Sequence, residues 1–583
     1  MAQDDTSRRT FLKVAGSTAA AASLAGCLGG GDDEEPSGNG TGGGDGNGTG
    51  GGDGNGTGGG GGGGGSGGTL IYGRGSDSAT LDPQNTTSGE DAKVINQVYD
   101  TLIKFETGAS SLVEGLATEY ELDGTTATLT LREDATFHNG DTVTAEDFIA
   151  TYRRFVDEEY ESFIGMTDDE GVSGAKQSYY GGYLLSKVTN VEASSETELT
   201  IELDSQYAPF LRNLAVFAMA VMPKSLIEEG HDFSSDPVGS GPFSFDEWDT
   251  SNQRIRLAAN GEYWGTTPSV GEVVFQGVGD NSTRTQQLVA GESHIIDGMD
   301  AQSIQTLENS DAASVQRTEG MTVGYLAFNM ARVEAFRDKR VRQAINYAIN
   351  TQAIVENIYK GLATRASQPV PPTVMGHNEN VDPYPHDPEQ AQSLLEEAGY
   401  SDLTFQLETM TNPRPYFASP VQTAQTVRTN LSEVGVEIEI NQQQWDPYLE
   451  YTAEGKHDAC FLGWISDNAD PDNFYYPLLH PQVETSTVPE GQDWLSWDTE
   501  GVNTGNRSMW ANTEFMDLVS EAQQSYDEGS REETYKQIGE LVNEEAPWVF
   551  MTHTEELRGV SSAVSGFTVS PISGPALNEV SIE

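Results

Sequence analysis

The chain has 583 residues, with 91 acidic side chains against 31 basic ones, a formal net charge of −60 at pH 7 and a hydrophobic fraction of 36%. Charge of this sign excludes nucleic-acid binding, which needs a basic face. The apolar content beyond the Gly-rich N-terminal region excludes a disordered acidic tail. Such self-repulsion is screened in brine, where the Debye length falls to about 3 Å at 1 M salt, so the composition points to a halophile's surface.

At the N-terminus, Ser7-Arg8-Arg9-Thr10-Phe11-Leu12-Lys13 is a twin-arginine pattern, followed by the apolar run Val14 to Ala25. A permanent membrane helix needs about 20 apolar residues, so the run reads as an export signal that is removed after use. Leu24-Ala25-Gly26-Cys27 resembles a lipobox, which makes 1–26 the signal and Cys27 the lipidated first residue, a lipid anchor to the membrane. Residues 28–68 are mostly Gly with Asn, Thr, Asp and Ser, and cannot bury a core. They read as a disordered tether, spanning roughly 35 Å as a flexible coil. Asn39, Asn47 and Asn55 each open an Asn-x-Thr acceptor triplet within it.

Residues 69–583 are too many for one simple core and have a mixed α/β texture. Thr128-Leu129-Thr130-Leu131 and Leu199 to Leu203 alternate as strands do, and Thr144-Ala145-Glu146-Asp147 opens a helix with a capping-box pattern. Arg340 to Lys360 reads as one helix, with Val341, Ile345, Ala348 and Val355 on one face and Gly361 as its stop. A helix runs from Asp387-Pro388 to Gly399, and another from Val421 to Val434 ahead of Gly435. Val436, Ile438 and Ile440 alternate as a strand, and Asp458 to Gly463 reads as a buried strand. The latter carries Cys460, which has no disulfide partner once Cys27 is lipidated and is expected to be a small buried thiol. Ser530-Arg531-Glu532-Glu533 caps a last helix that ends before Pro547.

The order of several short motifs is more specific than any one of them. They are Tyr99-Asp100-Thr101-Leu102, Phe137-His138-Asn139-Gly140-Asp141, Gly239-Ser240-Gly241-Pro242-Phe243, Tyr263-Trp264-Gly265, Phe328-Asn329, and Arg340 to Ile349. In this order the chain resembles the peptide/nickel-type solute-binding proteins of ABC importers, above all the dipeptide- and oligopeptide-binding members. With its acidic surface and lipobox it is similar to a haloarchaeal lipoprotein of that type. The resemblance implies an α/β fold of the periplasmic-binding-protein kind, class C-type, with two lobes, a hinge and an inserted α/β subdomain. The first lobe is expected over 69–115, 235–322 and 551–583, the insert over 116–234 and the second lobe over 323–550. Ligands of such folds bind between lobes that close on a hinge.

The resemblance also implies a site. Arg414-Pro415-Tyr416 matches an element that holds a ligand carboxylate. Asp467, shortly after Gly463-Trp464, matches the holder of a ligand ammonium, with Trp464, Ile465 and Ser466 beside it. Trp445, placed in a strand-loop, would pack on the ligand, and Thr87 is the contact expected from the first lobe. Chemistry agrees: an arginine fork suits a carboxylate, a carboxylate suits an ammonium, and a fixed span between them measures a short zwitterion. In molar salt such recognition needs burial between closed lobes.

These residues describe an extracellular, lipid-anchored, monomeric receptor that delivers a short peptide, a dipeptide by preference, to an ABC permease. Longer peptides, an oligosaccharide or a nickel chelate would not need Arg414 and Asp467 together. Asp467, Asp470 and Asp472 lack the Gly and Glu of an EF-hand, the His residues lack zinc spacing, and there is no Gly-x-Ser-x-Gly. No metal, cofactor or catalytic activity is therefore expected. A secreted hydrolase is the reading from another class, and an adhesion or sensor protein on the same fold a further one. Asn85 opens an acceptor triplet ending at Thr87, where a glycan would block the cleft, so none is expected.

Overall fold

The computed structural model describes residues 67–164, 175–572 and 574–583. The twin-arginine pattern, Cys27 and the tether with its Asn39, Asn47 and Asn55 triplets lie outside them. Among the described residues no helix is long and apolar enough to cross a membrane.

One continuous path of strands runs through two halves of the molecule. In the first half, Thr69–Arg74 pairs in parallel with Glu272–Gly277 and Ile295–Ile296, and antiparallel hairpin strands extend the sheet. In the second half, Thr404–Met410 lies between Glu437–Gln443 and Ala459–Ile465 and is parallel to both. The long strand Trp548–Ser561 joins the halves. Up to Thr554 it pairs with Thr322–Phe328 and Ala363–Arg365; from Glu555 it pairs with Ala313–Glu319 and then Ile295–Ile296. The neighbouring strands cross at the same level, where the Gly320 N–H donates to the Thr554 carbonyl (3.1 Å). A Cβ on Gly320 would collide with that oxygen, so only glycine fits where the crossings touch.

The insert builds a four-stranded antiparallel sheet from Ala117–Asp123, Thr126–Leu131, Glu198–Leu203 and Val188–Ala193. Its buried side chains share one core with the first half, whereas the second half has a core of its own. Three of the ordered motifs, 99–102, 239–243 and 263–265, converge on one buried carboxylate in the first half. Asp100 accepts from Lys104 Nζ (2.8 Å), Ser240 Oγ (3.0 Å), Tyr263 OH (3.0 Å) and Trp264 Nε1 (2.9 Å). A charge without water is tolerable only when its lone pairs are filled, and here Lys104 and donors from two of the motifs, 239–243 and 263–265, fill those of a third.

Most expected elements are present, and two differ. The helix expected over Arg340 to Lys360 is interrupted. Lys339–Ala348 stops at Ile349, which is extended, and Asn350 starts Thr351–Ile354 by accepting from the Ala353 N–H (2.9 Å). The Asn350 N–H is meanwhile drawn to Asn430 Oδ1 (3.1 Å), a tertiary contact that competes with helix continuation. The last helix, Glu528–Glu545, is capped by Asp527 rather than Ser530. The Asp527 carboxylate accepts from the Ser530 N–H (2.7 Å), and the charge suits the positive end of the helix dipole. Asp387 caps Pro388–Ala398, and Asp147 accepts from the Thr144 N–H (2.8 Å), as their patterns predict. Cys460 is fully buried on Ala459–Ile465, where burial pushes its thiol up to about 12.

Candidate functional site

The three parallel strands of the second half end side by side, and each is followed within a few residues by an expected site residue. Arg414 follows Thr404–Met410, Trp445 follows Glu437–Gln443, and Asp467 follows Ala459–Ile465. Crevices beyond the carboxyl ends of such strands are where α/β sheets bind ligands.

Arg414-Pro415-Tyr416-Phe417 is a tight turn closed by two reciprocal backbone hydrogen bonds, Arg414 N–H to Phe417 O (2.8 Å) and Phe417 N–H to Arg414 O (2.9 Å). Proline in its second position presets the required φ. Tyr416 anchors the turn. Its carbonyl accepts from Tyr359 OH (3.0 Å) and Thr552 Oγ1 (3.3 Å), and its ring lies over Gly463, where a Cβ would overlap it. Burial pushes the Tyr416 hydroxyl up to about 12, against the pull of Arg414. The half-buried Arg414 lays its guanidinium on the Trp445 ring, 3.5 Å from the centroid. Trp445 is the first residue of the helix Trp445–Ala453, not part of a strand-loop. Its visible role is to hold the arginine flat, a cation–π contact.

Trp464 Nε1 donates to Asn473 Oδ1 (2.9 Å), which also accepts the Asp467 N–H (3.0 Å). The Asp467 carboxylate accepts from Tyr180 OH (2.9 Å) and Asn473 Nδ2 (3.2 Å), both neutral donors. Burial pushes it up to about 6, and these two hydrogen bonds oppose the rise only in part. Among the described residues no cation pairs with Asp467. The structure thus joins Trp445, Arg414, Tyr416, Trp464 and Asp467 into one wall by way of Gly463 and Asn473.

The remaining expected residues stand apart. Ile465 is solvent-exposed at the strand end. Ser466 is buried, donating its N–H to Met321 O (2.9 Å) beside the strand crossing and accepting the Ala469 N–H (3.0 Å). Thr87 is exposed on the first half and forms no hydrogen bond among the described residues. Its neighbours fix the loop: Thr86 Oγ1 donates to Asp91 (2.6 Å), and Asp82 receives both Nη atoms of Arg154. Asp470 and Asp472 are committed elsewhere, Asp470 to a two-pronged ion pair with Arg531 (2.8 and 2.7 Å).

The residues missing from the sequence reading are Tyr180 and Tyr183 of the insert helix Ala175–Leu184, and Asn473. Tyr183 OH accepts from Asn473 Nδ2 (2.8 Å). A signal for them existed: two tyrosines one helical turn apart beside Gly181-Gly182. The glycine lets the helix pack closely, since a Cβ on Gly181 would lie 3.3 Å from the Phe155 ring.

Two lobes on a shared crossing strand, with a wall of charged and aromatic groups at the strand ends, define a binding protein of the two-lobed solute-receptor class. The family model for bacterial extracellular solute-binding proteins, family 5, matches residues 111–486, and the chain belongs to that family. The family is one of binding proteins and not of enzymes. The chain is 29% identical to the dipeptide-binding protein of Escherichia coli over 88% of its own length and 95% of that protein's. It is also 29% identical to heme-binding protein A of Haemophilus influenzae, over 84% of its own length and 87% of that protein's. A dipeptide-binding protein from Pseudoalteromonas, solved in complex with Met-Leu, superposes with a TM-score of 0.72 at 25% identity, covering 88% of this chain and all of that one.

Proposed function

We propose that this protein is the extracellular receptor of an ABC importer and captures a short peptide, a dipeptide by preference, by its two charged ends. Arg414 takes the carboxylate and Asp467 the ammonium. Trp445 keeps Arg414 flat, Pro415 and Tyr416 shape the turn that presents it, Trp464, Ile465 and Ser466 frame the amino end, and Thr87 contributes from the first lobe. One observation carries this reading: Arg414 and Asp467 follow adjacent parallel strands, and among the described residues the side chains that hydrogen-bond the Asp467 carboxylate are neutral donors. A half-buried carboxylate of that kind gains most from a ligand cation.

In this reading the lobes are 69–115 with 235–322 and 551–583, and 323–550, with 116–234 inserted. The exchange of strand partners between Thr554 and Glu555 supports a hinge there. The twin-arginine route, the anchor at Cys27, the tether, a monomeric state and delivery to a membrane permease complete the reading. The Met-Leu complex of the Pseudoalteromonas relative supports the dipeptide length. Titration calorimetry in molar salt tests it with a dipeptide, its N-acetylated form and its C-amidated form. Binding of the free dipeptide alone is expected. Equal binding of all three would overturn the two-ended grip, and binding of heme alone would move the ligand class to that of the Haemophilus relative.

A further inference from the structure

Asp467 belongs to the second lobe, yet one of its hydrogen bonds comes from the insert. Tyr180 OH donates to its Oδ1 (2.9 Å), and the Tyr180 ring is braced edge-on against Phe217, centroids 5.5 Å apart. One turn further on, Tyr183 OH accepts from Asn473 Nδ2 (2.8 Å), and the same nitrogen donates to Asp467 Oδ2 (3.2 Å). Asn473 is fully buried, and its amide oxygen takes the Asp467 N–H and Trp464 Nε1. An amide engaged on both sides has one orientation. The carboxylate is therefore gripped once on each oxygen. An ionised carboxylate has roughly four acceptor positions, so each oxygen keeps one for a ligand.

We propose that Tyr180 is a positioning residue for recognition of the peptide amino terminus: its hydroxyl orients Asp467 toward the ligand ammonium, so that this end of the site is complete only when the insert meets the second lobe. The proposal rests on Asp467 being the ammonium holder. Closure then does more than exclude water, because it delivers a hydrogen bond to the recognising group itself.

Other contacts hold the insert against the second lobe without Tyr180. Asn468 Nδ2 donates to Asn213 Oδ1 (2.7 Å), Tyr207 OH to Asp472 Oδ2 (3.1 Å), the Ala208 N–H to Gln523 O (2.7 Å) and Tyr526 OH to Gly124 O (2.5 Å). Removing one hydroxyl from Tyr180 leaves these in place. The charged groups nearby are Asp470, paired with Arg531 and 3.9 Å from Arg212, and Asp472, which accepts from Tyr207 and Gln523. Burial, followed by the Asp470 charge, pushes Asp472 up to about 7. Its titration is distinguishable because it persists when Asp467 is removed.

The experiment compares the protein with its Tyr180→Phe, Tyr526→Phe and Asp467→Asn variants, titrating dialanine by calorimetry between pH 4.5 and 8 in molar salt. Tyr180→Phe is expected to weaken binding roughly three- to tenfold near neutral pH. It should also move the acid side of the affinity profile toward higher pH, because the lost hydrogen bond favoured the ionised carboxylate. Tyr526→Phe removes a lobe contact away from Asp467 and should leave the position of that acid side unchanged. An acid side in Tyr180→Phe that coincides with the parent, while Asp467→Asn abolishes binding, overturns the role of Tyr180 and leaves Asp467 as the ammonium holder. Parent-like binding by Asp467→Asn instead overturns the ammonium assignment, and the Tyr180 proposal with it.

Discussion

Asp467 and Asp470 share one short loop, the first half-buried and the second fully buried, and their surroundings are opposite. Burial works to raise the Asp470 carboxyl, but the Arg531 guanidinium overrides it and holds the group below the ordinary carboxylate range. Burial raises the half-buried Asp467 to about 6, with Tyr180 and Asn473 opposing the rise in part. Asp470 is a finished interaction that ties the loop to the helix Glu528–Glu545, while Asp467 is an unfinished one. A folded chain retains an under-compensated, partly buried carboxylate at a cost, and such groups concentrate where a ligand completes them. Asp100 in the first lobe is a second finished case, with four donors including Lys104.

Exchanging side chains should break this contrast most sharply at Asp470. Asp470→Ala strands Arg531 without its partner, and thermal unfolding in molar salt should register a loss of about 3–5 kcal/mol. Asp467→Ala should leave unfolding nearly unchanged but weaken dipeptide binding by about 2–5 kcal/mol in calorimetry. Arg414→Ala should cost about 2 kcal/mol or more in the same assay and remove the preference for a free over an amidated carboxyl terminus. If Asp467→Ala unfolded as readily as Asp470→Ala, the contrast would be lost.

Acidity should separate the two carboxylates by sign. A ligand ammonium lowers the Asp467 pKa, so the complex holds fewer protons than the empty site. Affinity should therefore rise with pH, by up to about tenfold per unit, until it levels off near 6. It should fall again above about 8 as the peptide amine deprotonates. For folding stability, Asp467 has a raised folded pKa, so its contribution declines as pH rises between about 4 and 6. Asp470 has a lowered one, so its contribution is present above about 4 and is lost on acidification. Calorimetric affinity profiles and unfolding curves across this range check both signs.

Smaller effects sharpen the comparison. Trp445→Ala should weaken dipeptide binding by about 0.5–2 kcal/mol, the range of a cation–π contact, by letting Arg414 leave its plane. With a net charge of −60, the chain should lose compact structure below about 1 M salt, visible as a loss of circular dichroism signal on dilution. A flat salt titration would argue against self-repulsion as a limit on its stability.

Local rules written in the chain determined much of this protein. Pro415 shapes the turn that presents Arg414, Gly399 and Gly435 end helices, and alternation of apolar residues marks the strand that carries Ile438 and Ile440. The ordered motifs were legible too, because Asp100, Ser240, Tyr263 and Trp264 keep fixed chemistry where they meet. Tertiary structure alone decided the rest. It broke the helix at Ile349 through the Asn350–Asn430 contact, and laid the Arg414 guanidinium on the Trp445 ring. It also brought Tyr180 from the insert to Asp467 in the second lobe, a pairing of residues 287 positions apart. The physical reason is range: caps, turns and alternation act within a few residues, whereas closing so long a loop is dictated by the packing of whole lobes.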